Sequence, residues 1–557
     1  MTERGVGEQV CSFGIQEQEY TLTHKEVPIT NFRVEKAIPL CSAEEASKIL
    51  ALQLRITQAA DREFELVVEL RNSICKQIEQ EIPTCRILKK SMRDTIDAYL
   101  LKMALRSMQA KKLYLCTTGL HRLYDGGWVY VCGDTVLGDC GENECVLSTD
   151  VSSVHLAKDS SLSEQEALEA LLDRMEEHRE VLWPVFGYTL LSSLRSVVMP
   201  LGLSVYPVLY MSGSPGIGKS VTVGRYCLLF DKKDGLHRKW AQLDAGSTAS
   251  ATRKQLVRFR DVVALVDDVA RGSNPTMERE RTQLTTTILR FAANDSPRSK
   301  QDMTQKEVLE YCQCGVAFTG EVLPKSASDI ERLIMLKLER PIRGGSPADR
   351  MVAATVFGGW MSWLLPQIDE RVEELRRRIE ALSSEKQARI ETTKVLLVWA
   401  LELFYDYAQA RGNIGKEYHL KAMEEVSFVV NKLLDIQKQM VRKINRPAPK
   451  GNLSYYILKG YREGAFLVVD RKNINTDNQL ECTVHRECLC IRHKTLLEYF
   501  KNETPYTDVS EKKLSRQLEE EGALTFNNEE KGTTKKIGSK KYLKLPLKKL
   551  REAEVIF

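Results

Sequence analysis

The chain has 557 residues, 43% of them apolar, and a net charge of +5. That is enough apolar material for packed cores and enough length for about three to five domains, with no overall charge that demands a nucleic-acid partner. No run approaches the roughly 18 apolar residues of a membrane span, the opening MTERGVGEQVCSFG lacks a secretory apolar stretch, and 14 scattered cysteines suit a reducing cytoplasm rather than a disulfide scaffold.

Residues 1–160 mix short strands and helices, which reads as an α+β domain. Its segment 113–145 is rich in aromatic residues and glycine and carries Cys132, Cys140 and Cys145. Zinc is one reading of these three soft ligands, and ordinary free cysteines the other. A second region, 161–345, opens on SLSEQEALEALLDRMEEH. Serine before an acidic first turn predicts a capped helix there.

The run PVLYM (207–211) predicts a short buried strand. It leads into Gly213, Ser214, Pro215, Gly216, Ile217, Gly218, Lys219 and Ser220, which fits G-x-x-x-x-G-K-[ST]. Glycines let backbone N–H groups converge on phosphate oxygens. Lys219 would reach the β- and γ-phosphates of ATP, and Ser220 would ligate Mg²⁺. Apolar residues at helical spacing follow, so a helix N-terminus would add positive charge beneath the phosphates.

DVVALVDDVA (261–270) is an apolar run ending in Asp267 and Asp268. A buried parallel strand has this pattern and would present both carboxylates at its C-terminal edge. Asp267 would hold Mg²⁺ through its water, and Asp268 would orient or deprotonate an attacking water. The other reading is a core strand running into an acidic turn. CGVAFTGE (314–321) is a third short strand, whose Thr319 could sense the γ-phosphate. In SASDIERLIMLKLER, Arg332 precedes the apolar run 333–338. It is either a surface arginine at a strand start or an arginine finger acting on a neighbouring subunit's nucleotide.

Residues 346–450 read as a helical domain. Ile368, Val372, Leu375, Ile379 and Leu382 repeat at 4-3-4-3 spacing, compatible with a coiled-coil contact, although two heptads fit a packed bundle helix better. NRPAPKGN (445–452) is the clearest linker. In 451–557, ECTVHRECLCIRH holds Cys482, His485, Cys488, Cys490 and His493. These are candidate zinc ligands, or the alternation of a half-buried strand. The tail resembles a winged helix: HKTLLEYF, then SEKKLSRQLEEEGAL with Ser510 as N-cap, then a hairpin. Its strip 531–551 carries nine basic residues and no acidic one, among them Lys535, Lys536, Lys540 and Lys541. Such a strip suits a phosphate backbone, or serves solubility.

Phosphate loop, acidic strand, polar strand end and arginine follow one another in the order of the AAA+ ATPases. The stretch TTGLHRLYDGGWVYVCGDTVLGD (117–139) resembles the signature of a family of ATPases from plasmids, phages and integrated elements. VPITNFRVEKAI, LDAGSTASATR and TGEVLPKSASDIERL are similar to that family as well. It includes the helicases of staphylococcal cassette chromosomes, which are similar to mini-chromosome maintenance helicases. The resemblance spans about residues 20–345. It implies an AAA+ core and an ATP-driven DNA translocase forming a homo-hexameric ring on single-stranded or forked DNA. It also implies a hairpin in RFAANDSPRSKQDMTQKEVLEYC whose Arg298 and Lys300, flanking a turn, would grip DNA in the central pore. The alternative is a nucleotide-switched assembly or defence protein that binds DNA or protein without unwinding.

Overall fold

A computed structural model of the chain describes residues 13–555 except 60, 142, 234–239, 245, 270–274, 295–297, 302–306, 322, 325, 383–387, 445–452, 471–480, 505–508, 525–533 and 538–539. At some positions, 298–301 among them, only the backbone is described. The turn-rich stretch 445–452 falls outside the described residues. The chain divides into two compact units, Met1–Val441 and Arg442–Phe557.

The first unit begins with a mixed five-stranded sheet. Its order is Cys145–Leu147, Lys112–Leu115, Phe32–Ser42, Ile49–Gln58 and Arg62–Glu69. Period two decides its inner face: Leu52, Leu54 and Ile56 are buried together. They pack with residues of the helices Ile74–Glu81 and Arg93–Arg106. The aromatic, glycine-rich segment makes a smaller antiparallel sheet of Gly119–Arg122, Trp128–Val131 and Val136–Leu137.

A buried carboxylate ties that small sheet to the centre of the unit. Asp261 accepts from the Leu120 N–H at 3.0 Å and from the N–H and hydroxyl of Ser196, each at 2.7 Å. The Tyr130 hydroxyl donates to the Asp261 carbonyl at 2.6 Å. Gly119 allows the approach: a Cβ there would stand 2.6 Å from the Asp261 Cβ.

The centre is a five-stranded parallel sheet. Its order is Gln242–Asp244, Arg260–Val269, Gln313–Gly320, Val208–Gly213 and Leu333–Leu338. The strand that leads into the loop thus lies between the polar-ended strand and the last one. Against this sheet lies the helix Arg179–Ser192, buried at every residue from Leu182 to Ser192. Such all-round burial matches its all-round apolar sequence. The Ser-capped helix expected of SLSEQ forms at Glu164–Glu177, and the cap is a full capping box: Ser163 accepts from the Glu166 N–H, and Glu166 accepts from the Ser163 N–H.

The helices Ala348–Leu364, Ile368–Glu380, Ala388–Ala410 and Lys416–Ile444 contribute to the same core. Phe186 meets Phe404 edge-on at 5.4 Å, and Trp183 meets Tyr405 at 6.4 Å. In the helix Ile368–Glu380, Ile368 and Leu375 are buried while Val372 and Ile379 pack against that core. Its 4-3 pattern therefore serves a bundle. Among the described residues no single helix is long and apolar enough to cross a membrane.

The second unit holds the helices Leu453–Arg462, His493–Glu503, Glu511–Glu520 and Leu547–Val555. Its sheet runs Leu467–Val468, Glu481–His485, Cys488–Ile491, Lys540–Pro546 and Thr534–Ile537. Ser510 caps the helix Glu511–Glu520 by accepting from the Lys513 N–H. The Glu521 carboxylate accepts from the N–H groups of Leu453 and Ser454 at 2.7 and 2.8 Å, an anion at a helix start.

Candidate functional site

The strand Val208–Gly213 ends in the loop and the helix Lys219–Tyr226 begins directly after it, as the sequence predicts. Gly216 and Gly218 have φ values of +72° and +99°, and nothing lies within 4 Å of where a Cβ would stand on either. A side chain would fill this concave backbone. No side chain caps the helix, so its first N–H groups face the loop without a capping oxygen. The Lys219 ammonium donates to the carbonyls of Gly213 and Ser214, both at 2.9 Å. Ser214, Pro215 and Gly216 are exposed, and Ile217 packs against the core.

Three further strands deliver the polar groups. Register pairs Met211 with Thr319 and Asp244 with Asp267, so the strand ends align at one edge of the sheet. Asp267 Oδ1 accepts from Ser220 Oγ and from Thr319 Oγ1, each at 2.5 Å. Its Oδ2 accepts from Gln242 Nε2 at 2.9 Å. Thr319 Oγ1 in turn accepts from the Asp268 N–H at 3.2 Å.

Asp267 and Asp268 have different surroundings. Asp268 is exposed and has φ +63°, and the ladder to the neighbouring strand is irregular between Val266 and Val269. A bulge re-aims side chains in this way. Holding a non-glycine residue in that conformation costs about 1–3 kcal/mol, and such strain gathers at functional sites. Ser220, Asp267 and Thr319 thus meet beside Lys219, with Asp268 next to them at the rim. Gln242 belongs to the cluster too. Nothing in its sequence surroundings marks it, because its role depends on which strand lies beside Arg260–Val269.

Arg332 lies elsewhere. Val208 pairs with Leu333 and Gly213 with Leu338, so Arg332 precedes the opposite end of the strand, about 16–20 Å from the loop at roughly 3.3 Å per residue. It is 8% exposed. Nη1 donates to the Ser328 carbonyl and hydroxyl at 2.5 and 2.7 Å, and Nε donates to Asn294 at 3.1 Å. Burial, with Arg389 and Arg290 nearby, lowers the pKa of its guanidinium.

Arg298–Gln301 pairs antiparallel with Glu307–Glu310. Arg298 and Lys300 therefore lie within one strand rather than on either side of a turn. In the second unit Lys535 and Lys536 lie on one hairpin strand and Lys540 and Lys541 on the other. Lys536 is the register partner of the exposed Lys541.

Of the cysteines in the two groupings, Cys132, Cys482, Cys488 and Cys490 are buried. Cys482, Cys488 and Cys490 are buried in the hairpin Glu481–His485/Cys488–Ile491, and burial pushes the Cys482 thiol up to about 12. His493 Nε2 lies 3.3 Å from Ser515 Oγ. Cys132 is buried in the small sheet, while Cys140 and Cys145 lie 2.7 Å apart at their sulfurs. Among the described residues no three His, Cys, Asp or Glu side chains gather for a metal.

Fold and site define a multidomain α/β protein with a glycine loop, a lysine, two hydroxyls and two carboxylates along one edge of a parallel sheet. No protein-family model and no curated protein matches the chain. Among solved structures it is similar to "SCCmec type IV Cch - active helicase" at 12% identity and a TM-score of 0.49, over 99% of this chain and 100% of that one.

Proposed function

We propose that the chain is an ATP-driven DNA helicase or translocase of a mobile genetic element, working as a homo-hexameric ring. The observation that carries the nucleotide part is the meeting of Ser220, Asp267 and Thr319 beside the open backbone of Gly216 and Gly218. The residues fit ATP and Mg²⁺: a backbone cradle open to solvent, one ammonium, one hydroxyl and a carboxylate at a strand end.

Lys219 would exchange its two carbonyl partners for β- and γ-phosphate oxygens. Ser220 and Asp267 would hold Mg²⁺, which when bound neutralises charge on the transferred phosphoryl group. Asp268, exposed at the rim, would orient or deprotonate water. Thr319 gives its proton to Asp267 and its lone pair to the Asp268 N–H, so it links the two carboxylate positions.

The remaining parts rest on sequence resemblance and charge. We read an AAA+ core in 161–345, an N-terminal domain in 1–160, a helical domain in 346–450 and a winged helix in 451–557. Arg298, Lys300 and the tail lysines would contact DNA, and Arg332 would act in trans. The burial of Arg332 among Ser328 and Asn294 weighs against the finger role. The second reading is a nucleotide-switched assembly or defence protein that binds DNA or protein without unwinding. Two measurements test this. Lys219→Ala should abolish ATP hydrolysis, and turnover near wild type would sink the nucleotide assignment. Strand displacement on forked DNA separates the helicase from the switched assembly.

A further inference from the structure

The strand Arg260–Val269 has a second populated end. Around its first residue lies a cavity of about 520 Å³ whose lining includes Glu44, Arg122, Tyr124, Trp128, Ser196 and Arg260. It is separated from Asp267 by about 23 Å of strand at roughly 3.3 Å per residue. Its cations are loosely held. Arg122 is 58% exposed at its side chain, lies 5.6 Å over the Trp128 ring, and meets Asp369 only at 3.9 Å. Arg260 meets Glu44 at 3.6 Å and Asp261 at 3.5 Å. Asp261 is already filled by Leu120 and Ser196, and the buried Arg260 Nε has no hydrogen-bond acceptor. Tyr124 is 43% exposed, with the Lys111 ammonium 5.1 Å from its ring centre.

We infer that this cavity binds a segment of single-stranded DNA, a base stacking on Tyr124 and a phosphate lying between Arg122 and Arg260. Aromatic faces alternating with cations match the alternation of bases and phosphates in a single strand. The volume is that of a small-molecule pocket, too small for a duplex whose major groove alone is about 12 Å wide. An acidic peptide would use the guanidinium groups but need offer no flat face to the exposed ring. The inference rests on the DNA-translocase reading and adds a contact at the edge of the sheet away from the nucleotide.

The test uses the full chain and an oligothymidylate carrying iodinated pyrimidines, cross-linked by light and mapped by mass spectrometry. Cross-links within Arg122–Trp128 are expected, and Tyr124→Ala and Arg122→Ala should each weaken binding about tenfold. Both side chains are exposed, and an unchanged unfolding midpoint verifies that the variants fold. Cross-links confined to other segments, with both variants binding like wild type, would overturn the cavity assignment and leave the translocase standing. That outcome would also be the one expected if a protein segment fills the cavity. Failure of the wild-type chain to bind DNA at all would overturn both.

Discussion

The Thr319 hydroxyl donates to Asp267 and accepts from the Asp268 N–H, so its orientation is fixed from both sides. Thr319→Val keeps the shape and removes both bonds. We expect ATP to bind and hydrolysis to fall roughly 10²–10³-fold, the range for losing one preorganised donor. Asp268→Asn should likewise retain binding and lose roughly 10²–10⁴-fold in turnover if the carboxylate handles the water. Nucleotide titration beside steady-state hydrolysis checks both, and loss of binding in Asp268→Asn would give that residue a structural role. At this scale legibility follows locality. The loop residues announce themselves through fixed spacing, and the two aspartates through the apolar run before them. Gln242 does not, because its partner is 25 residues away.

The strand Arg260–Val269 departs from regular pairing near both ends, at Asp261 with φ +51° and at Asp268 with φ +63°. The first irregularity turns a carboxylate into the protein. Removing it strands the Leu120 N–H and both Ser196 donors, at about 1–3 kcal/mol for each unmet group. Asp261→Ala should therefore lower unfolding free energy by about 3 kcal/mol or more in a denaturant titration, and a loss below 1 kcal/mol would mean the small sheet is held by other contacts. Its neighbour His121 titrates in the same direction as the acid limb of stability. Burial, then the Arg260 charge, lower its pKa from 6.5 to about 4. The unfolded chain thus binds the proton first, so this contribution is complete above about pH 6.5 and lost as pH falls toward 4. As pH falls over that window, unfolding free energy should drop in wild type relative to His121→Leu, and a pH-independent difference between the two would contradict the lowered pKa. Neither irregularity can be read from DVVALVDDVA, whose uniform apolar run signals only burial. The serine cap before Glu164–Glu177 is legible, since cap and acidic first turn lie within four residues.

For the whole molecule, the proposed ring makes each site from two chains. If Arg332 acts in trans, mixing Arg332→Ala with Lys219→Ala protein should restore part of the activity once subunits exchange. A chain that stays monomeric with ATP and DNA and still hydrolyses normally would rule this out. Deleting the tail from Lys531 removes nine positive charges. Binding to DNA should weaken and its salt dependence flatten by about 0.7–0.9 in slope for each lost phosphate contact. Basal hydrolysis should persist, because the residues proposed to hold nucleotide lie in the other unit. The sequence conveyed the run of elements along the chain but not their lateral order. That order is what sets Thr319 between the loop and Asp267, and it comes from sheet packing among residues more than 50 positions apart.

The resting seat of Lys219 bears on turnover. With its ammonium on the carbonyls of Gly213 and Ser214, the charge stays compensated when the loop holds no anion. If the loop holds nucleotide as proposed, its departure would expose no bare cation, because the lysine could fold back onto its own loop. Exchange would then trade phosphate oxygens for carbonyl oxygens at one ammonium, with no wholesale opening of the sheet edge. Under the proposed translocase reading, such a loop would idle cheaply between cycles, leaving the pace of the stroke to the steps in which the track is gripped and released.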